Sequence, residues 1–274
     1  MFGRERIEYK SREQVLLMRR AGLVVARALD AVREAVKPGV TTVELDAVAE
    51  DVIRAAGATP SFKGYHGFPA SLCVSVNEEV VHGIPGERVV AAGDVVSVDC
   101  GAIVDGWHGD AAFSTVVDAG SAGTAEDEAL VEATRRALWA GIAALRVGGR
   151  LGDVGAAVED AVAGRYGIVE GYVGHGIGTA MHQAPEVLNY RTRERGVRLR
   201  EGLCVAVEPM LVRGDPDTTV LDDDWTVVTT DSSRAAHWEH TVALGADGPW
   251  VLTAFDGGVE ALAGLGVRAA PLAD

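Results

Sequence analysis

Residues 95–117 read VVSVDCGAIVDGWHGDAAFSTVV, and the fold turns on this stretch. An alternating apolar run reaches Asp99, Asp105-Gly106 follows, and apolar residues resume around Asp110. Asp-Gly between two such runs is a strong hairpin signal. With Asp105 and Gly106 as the central turn residues, Asp110 faces Gly101 and Asp99 faces Ala112. Side chains alternate with period two, so Asp99 and Gly101 share a face. The two carboxylates become diagonal cross-strand neighbours, about 7 Å apart or less. In so apolar a setting they need a proton, a cationic side chain or a metal. A pair of solvated turn aspartates is the plainer reading, but each sits inside a strand pattern rather than in the turn.

Working outward, two helical patterns precede the hairpin. Ser11-Arg12-Glu13-Gln14 has the form of a capping box and opens a helix with Leu17, Val24, Ala28 and Val32 inward. Pro38-Gly39 stops it, and Thr41-Thr42-Val43-Glu44 opens a second helix with Leu45, Val48, Val52 and Ile53 inward, ending at Gly57. Strand patterns follow at 72–76 and 95–101. From Thr124 the order starts again, with helices to about Leu145 and from about Gly152 to Tyr166. Strand patterns then fall at 203–210, 225–229, 237–244 and 250–253. The Ala/Gly-rich tail from Gly257 receives no role.

The two halves are related at an offset of 109 residues. Arg27-Ala28-Leu29 matches Arg136-Ala137-Leu138, Glu50-Asp51 matches Glu159-Asp160, and His66-Gly67 matches His175-Gly176. Val96-Ser97-Val98-Asp99 falls on Val205-Ala206-Val207-Glu208, so a second acid occupies the position equivalent to Asp99. Neither half easily buries its own sheet face alone. One domain over residues 1–274 is therefore expected, with pseudo-twofold repeats over about 11–118 and 124–253. Asp99 and Glu208 would meet near the axis.

Composition narrows the class. The chain has 274 residues, 48% of them hydrophobic, which is ample for a core. A net charge of −15 argues against DNA binding through a basic surface. Three cysteines, Cys73, Cys100 and Cys204, form no CxxC, which suits a reducing compartment. The charged start is no secretory segment, and no run approaches the roughly 18 apolar residues of a membrane span. A cytoplasmic protein is expected.

Two further patterns join the acids. Gly174-His175-Gly176-Ile177-Gly178 places a histidine among glycines, which let backbone approach a site closely. Its likeness to a dinucleotide fingerprint fails for want of the third glycine and the following acid. Trp238-Glu239-His240-Thr241 sets Glu239 in a strand pattern. Alone, His175 reads as well as a satisfied core histidine, and Glu239 as a paired strand acid. Together, four carboxylates and one imidazole form a hard donor set. It suits two divalent ions, Mn, Co, Fe or Zn, better than one structural zinc. Two such ions need bridging carboxylates and generate a hydroxide nucleophile near neutral pH.

VDCGAIVDGWHGD, GHGIGTAMH, EPM and WEHT, with YHGFPASLCVSVNEEVVHGIP ahead of them, resemble the signatures of type I methionine aminopeptidases. The similarity runs from about Ser11 to Leu252. It implies an α+β pita-bread fold: two pseudo-twofold-related helix-helix-strand halves around a curved antiparallel sheet. It implies two divalent metals on Asp99, Asp110, His175, Glu208 and Glu239. Asp110 and Glu239 would bridge, Asp99 would hold one ion through both oxygens, and His175 and Glu208 would complete the other. His82 and His182 would contact substrate, and Glu208 would shuttle a proton. The methionine pocket would be walled by Tyr65, Phe68, Cys73, Met181 and Trp225, with Phe62 close by. Phe62 stands where the family commonly has cysteine, and Met181 where it commonly has phenylalanine.

The implied reaction is removal of the initiator methionine from nascent chains whose second residue is small. Phe2 follows Met1, so the protein is expected to keep its own Met1. A monomer is expected. The basic run Arg191 to Arg200 reads first as a solvated loop, and the resemblance adds contact with ribosomal RNA as a second reading. One rival is an Xaa-Pro aminopeptidase or dipeptidase, which typically carries a large extra N-terminal domain, whereas here the first helix begins near residue 11. Another is a metal-free binding relative, which would lack ligands that are all present here.

Overall fold

The computed structural model describes residues 7–120 and 124–272. Met1 and Phe2, on which the retention of Met1 turns, lie outside the described residues. The first half runs α1 (Arg12–Ala35), α2 (Thr42–Ala55), β1 (Thr59–Pro60), β2 (Leu72–Val76), β3 (Glu79–Val81), β4 (Val95–Val104) and β5 (Trp107–Val116). The second half opens with α3 (Ala125–Ala143) and α4 (Gly152–Val162), then β6 (Gly167–Ile168), β7 (Gly174–Gly176), β8 (Gln183–Val187) and β9 (Cys204–Val207). It continues through β10 (Met210–Val212), β11 (Thr218–Val220), β12 (Val227–Thr229), β13 (Ala235–His237), β14 (Glu239–Gly245) and β15 (Gly248–Val251) to α5 (Val259–Gly264).

The turn between β4 and β5 has positive φ at both Asp105 (51°) and Gly106 (81°), the requirement of a type I′ hairpin. Its register pairs Asp99 with Ala112 and Gly101 with Asp110, as the Asp-Gly reading requires. The expected capping box forms at Ser11 with Gln14 on α1, and a second one, Thr41 with Glu44, opens α2. Each such cap is worth about 1 kcal/mol.

The hairpin lies within a nine-stranded antiparallel sheet whose path is β1-β4-β5-β14-β9-β7-β8, with β2 also on β4 and β15 also on β14. The sheet is curved, and the fold is a pita bread. One core packs α1 and α2 against β2, β4 and β5, through residues such as Val32, Leu45, Ile53, Val98 and Phe113. Its counterpart packs α3 and α4 against β9 and β14, through Leu138, Ile142, Val154, Val205 and Val242. Trp238 packs against both cores, at the junction of the halves.

Several boundaries differ from the sequence expectation. The strand expected at 203–210 breaks at Glu208-Pro209, because Pro209 has no N–H for the ladder. The strand expected at 237–244 breaks at Trp238, where the chain leaves the β13-β10-β6 sheet and enters the main one. The strand expected from Trp225 starts at Val227, because Asp223 folds a turn there. Its carboxylate accepts from the Trp225 and Thr226 backbone N–H groups at 2.9 and 2.7 Å. The second-half helix ends at Val162, where Ala163 and Gly164 turn left-handed (φ 53° and 67°). On α1, Leu17 is only half-buried, and Val15 and Met18 are the deep residues of its first turns. The tail is not idle, since Leu262 of α5 is fully buried in the second core.

Candidate metal centre

The sheet order places the acids. Ala112 on β5 is opposed by Asp99 on β4 and by Glu239 on β14. Asp110 lies two residues before Ala112 and so shares its face. On the far side of β14, His240 pairs with Val207, so the next positions along are Glu239 and Glu208. His175 comes from β7, held beside β9 by the pairing of Gly176 with Val205. A Cβ on Gly174 or Gly176 would collide with the Ala206 or Ala184 carbonyl. Those glycines therefore serve close approach of neighbouring strands.

One pocket of about 140 Å³ gathers every residue singled out for the site. Asp99, Asp110, His175, Glu208 and Glu239 form one end. Phe62, Tyr65, Phe68, Cys73, Met181 and Trp225 line the apolar remainder; His82 packs edge-on near Trp225, and the His182 ring touches both His175 and Tyr65. The loop carrying Phe62, Tyr65 and Phe68 is tied to α2. Asp46 accepts from the Ser71 and Leu72 backbone N–H groups at 2.9 and 2.7 Å, and Lys63 donates to Glu50 at 2.7 Å.

The electrostatics are those of a cation site. Ligand atoms of Asp110, His175 and Glu239 lie within 4.8 Å of one another. His175 Nε2 is 3.5 Å from Glu208 Oε1. Burial pushes the carboxyls of Asp99, Asp110, Glu208 and Glu239 above their ordinary range, and the neighbouring acids push the last three further. Burial pulls His175 down to about 4, helped by His182. One oxygen each of Asp99, Asp110 and Glu239 is buried with no hydrogen-bond partner. Among the described residues no lysine or arginine pairs with any of the four acids. Unpartnered buried carboxylate oxygens converging without a cationic side chain fit divalent metal. The cysteines offer no rival nucleophile, because burial and the nearby acids push the Cys73 and Cys100 thiols well up.

Several supporting contacts escaped the sequence reading. Thr241 Oγ1 accepts from the Asp110 N–H at 3.0 Å and donates to the Asp110 carbonyl at 2.7 Å. Asn189 Nδ2 donates to the Glu208 carbonyl at 3.1 Å. Ser61 Oγ bonds His108 Nδ1 at 3.0 Å, and Tyr65 Oη bonds His182 Nδ1 at 2.8 Å. His237 Nε2 is 4.0 Å from Glu239, and burial pulls that imidazole down to about 3. Its position two residues before Glu239 was the available signal; the other contacts join residues remote in sequence.

Fold and site together define a divalent-metal hydrolase on a pita-bread scaffold. Residues 16–246 match metallopeptidase family M24, and the chain belongs to that family. It is 54% identical over 259 residues to methionine aminopeptidase 1 of Mycobacterium tuberculosis, covering 92% of this chain and 96% of that one. The crystal structure of the Thermotoga maritima methionine aminopeptidase matches with a TM-score of 0.87 at 40% identity, over 90% of this chain and 99% of that one. Prolidase from Pyrococcus furiosus shares the fold at a TM-score of 0.72 and 20% identity, over 90% of this chain but 65% of that one.

Proposed function

We propose that the protein is a metallo-aminopeptidase that removes the initiator methionine from new polypeptides whose second residue is small. The observation that carries this reading is a cluster of four carboxylates in an otherwise apolar pocket, Asp110 and Glu239 buried and Asp99 and Glu208 half-buried, three of them with an unpartnered oxygen. Relatives at this level of identity are methionine aminopeptidases, which supports the same substrate. We read the chain as one catalytic domain, because both helix pairs cover a single sheet.

In this reading Asp99, Asp110, His175, Glu208 and Glu239 would hold two divalent ions, Co, Mn, Fe or Zn. Bound metal supplies Lewis acidity and an acidified water. The remaining work belongs to the chain. The Glu208 carboxylate would take a proton at its oxygen and return it to the leaving amine, so that the amine departs neutral. Burial pulls His82 down to about 4 and His182 in the same direction, so both are neutral imidazoles at pH 7. His182 donates to the scissile carbonyl oxygen, and His82 hydrogen-bonds the scissile amide. Phe62, Tyr65, Phe68, Cys73, Met181 and Trp225 exclude water and receive the unbranched thioether chain.

The substrates are the N-termini of nascent polypeptides, met in the cytoplasm by a monomer. No helix among the described residues is long and apolar enough to cross a membrane. Within the basic run, Arg191 pairs with Asp160 and Arg195 with Asp153. Arg193, Arg198 and Arg200, exposed and outside those pairs, are the residues for any ribosome contact. Hydrolysis of Met-Ala-Ser beside Ala-Pro-Ala, with and without Mn or Co, tests the proposal. Metal-dependent release of methionine is expected. Cleavage of Ala-Pro-Ala alone would mean an Xaa-Pro enzyme, and cleavage of neither would mean a binding protein.

A further inference from the structure

Tyr65 lines the pocket, a task a phenylalanine ring could perform equally well. Its hydroxyl does something more specific. Tyr65 Oη lies 2.8 Å from His182 Nδ1, with the two rings tilted by 45° at 5.4 Å. A neutral imidazole carries one N–H and one lone pair. Because Nδ1 is engaged by Tyr65, Nε2 is the nitrogen left for a substrate. The bond can run in two senses. If the phenol donates to Nδ1, the proton stays on Nε2. If Nδ1–H donates to the phenol oxygen, Nε2 presents a lone pair, which repels a carbonyl oxygen.

A phenol O–H is a stronger acid than a neutral imidazole N–H, and an imidazole nitrogen is a stronger base than a phenol oxygen. The first sense is therefore favoured. A phenol with an ordinary pKa of about 10 and an imidazole with one of about 6.5 are both mainly neutral at about pH 7.5, the pH of the test. The tyrosine is itself pre-positioned. Gly64, His66 and Gly67 all adopt left-handed backbone around it (φ 88°, 48° and 92°). The adjacent Lys63 is anchored on Glu50. The His182 ring is flanked on another side by His175, with centroids 4.4 Å apart.

We propose that Tyr65 is a positioning residue, whose hydroxyl holds His182 in the Nε2–H tautomer so that the imidazole presents a donor to the scissile carbonyl. The catalytic consequence rests on the aminopeptidase reading; the tautomer does not.

The test is Tyr65→Phe, which keeps the ring and the pocket wall. In zinc-loaded protein, ¹⁵N histidine spectra, assigned with His182→Ala, should show His182 protonated on Nε2 in the wild type. In Tyr65→Phe they should show a tautomer mixture. With Met-Ala-Ser, kcat should fall roughly 3- to 10-fold while KM changes less than about twofold, the scale of one hydrogen bond. In a His182→Ala background, Tyr65→Phe should cause no further loss, because it acts through the imidazole. A wild-type His182 protonated on Nδ1, an unchanged kcat in Tyr65→Phe, or additive losses in the double variant would each overturn the proposal. A wild type that releases no methionine would instead remove the aminopeptidase reading, and the spectra would still decide the tautomer.

Discussion

Asp99 and Glu239 are held one strand apart on either side of the same small residue: each is the cross-strand partner of Ala112. The two carboxylates thus overlook one face of β5 with only a methyl group between them, and Ala112 is 2% exposed. In the proposed reading, metal has room there because position 112 is small. Ala112→Leu should leave the fold in place at a cost of about 1–3 kcal/mol for overpacking. It should also abolish stoichiometric metal uptake. Metal analysis after dialysis, beside a thermal melt, checks both halves, and a variant that melts normally and keeps its metal would contradict the assignment.

Metal removal should make stability depend on pH in a particular direction. Asp99 is pushed up to about 7 by burial, and its ordinary value is 3.8. A carboxyl whose folded pKa is raised contributes stability that is fully present below its unfolded pKa and is lost as pH rises through the folded one. The metal-free protein should therefore lose stability between about pH 4 and 7, while metal binding, which displaces the protons, should offset that loss. Melting temperatures with and without chelator should diverge as pH rises through this window. A constant gap would mean that the acids are not buried together without a cation.

Thr241 clamps both backbone groups of Asp110 through one hydroxyl. Thr241→Val keeps the shape and leaves a buried N–H and a buried carbonyl unpaired. The expected loss is about 1–3 kcal/mol of stability. Weaker metal binding should accompany it, because Asp110 is no longer held in register with β14. Denaturant melts and metal titration report the two effects separately; a variant as stable as the wild type would show that the clamp is incidental.

His182 should matter for rate more than for binding. Loss of a donor that acts in the transition state is worth about 2.7–4 kcal/mol, or roughly 100- to 1,000-fold. His182→Ala should lower kcat and kcat/KM together with KM little changed. A normal kcat with a raised KM would make His182 a ground-state contact instead.

Space beside the metals should exclude a large second residue of the substrate. About 1 Å of displacement of the scissile carbonyl is enough to cost on the order of a hundredfold in rate. Met-Ala-Ser should be cleaved and Met-Phe-Ser should not, and equal turnover would leave a general methionine-preferring aminopeptidase.

How much of this was legible in the sequence depends on the range of each signal. The Asp105-Gly106 turn pins the β4–β5 register locally, so the facing of Asp99 and Ala112 followed from arithmetic on one hairpin. The capping boxes are equally local. The breaks at Pro209 and Trp238 were missed because apolar periodicity continues while the chain changes sheets. The Thr241 clamp and the Tyr65–His182 bond join residues 131 and 117 positions apart, a separation that no pattern along the chain records. The gathering of Phe62, Tyr65, Phe68, Cys73, Met181 and Trp225 around one cavity came from the family resemblance, since spacing alone reads those residues equally well as core.

The most direct measurement is release of methionine from Met-Ala-Ser by chelator-treated protein, followed as Mn or Co is titrated back. No turnover without metal is expected, with activity returning as the site fills and reaching its maximum near two ions per chain. Full activity in the chelated protein, verified metal-free by elemental analysis, would contradict the account at its centre.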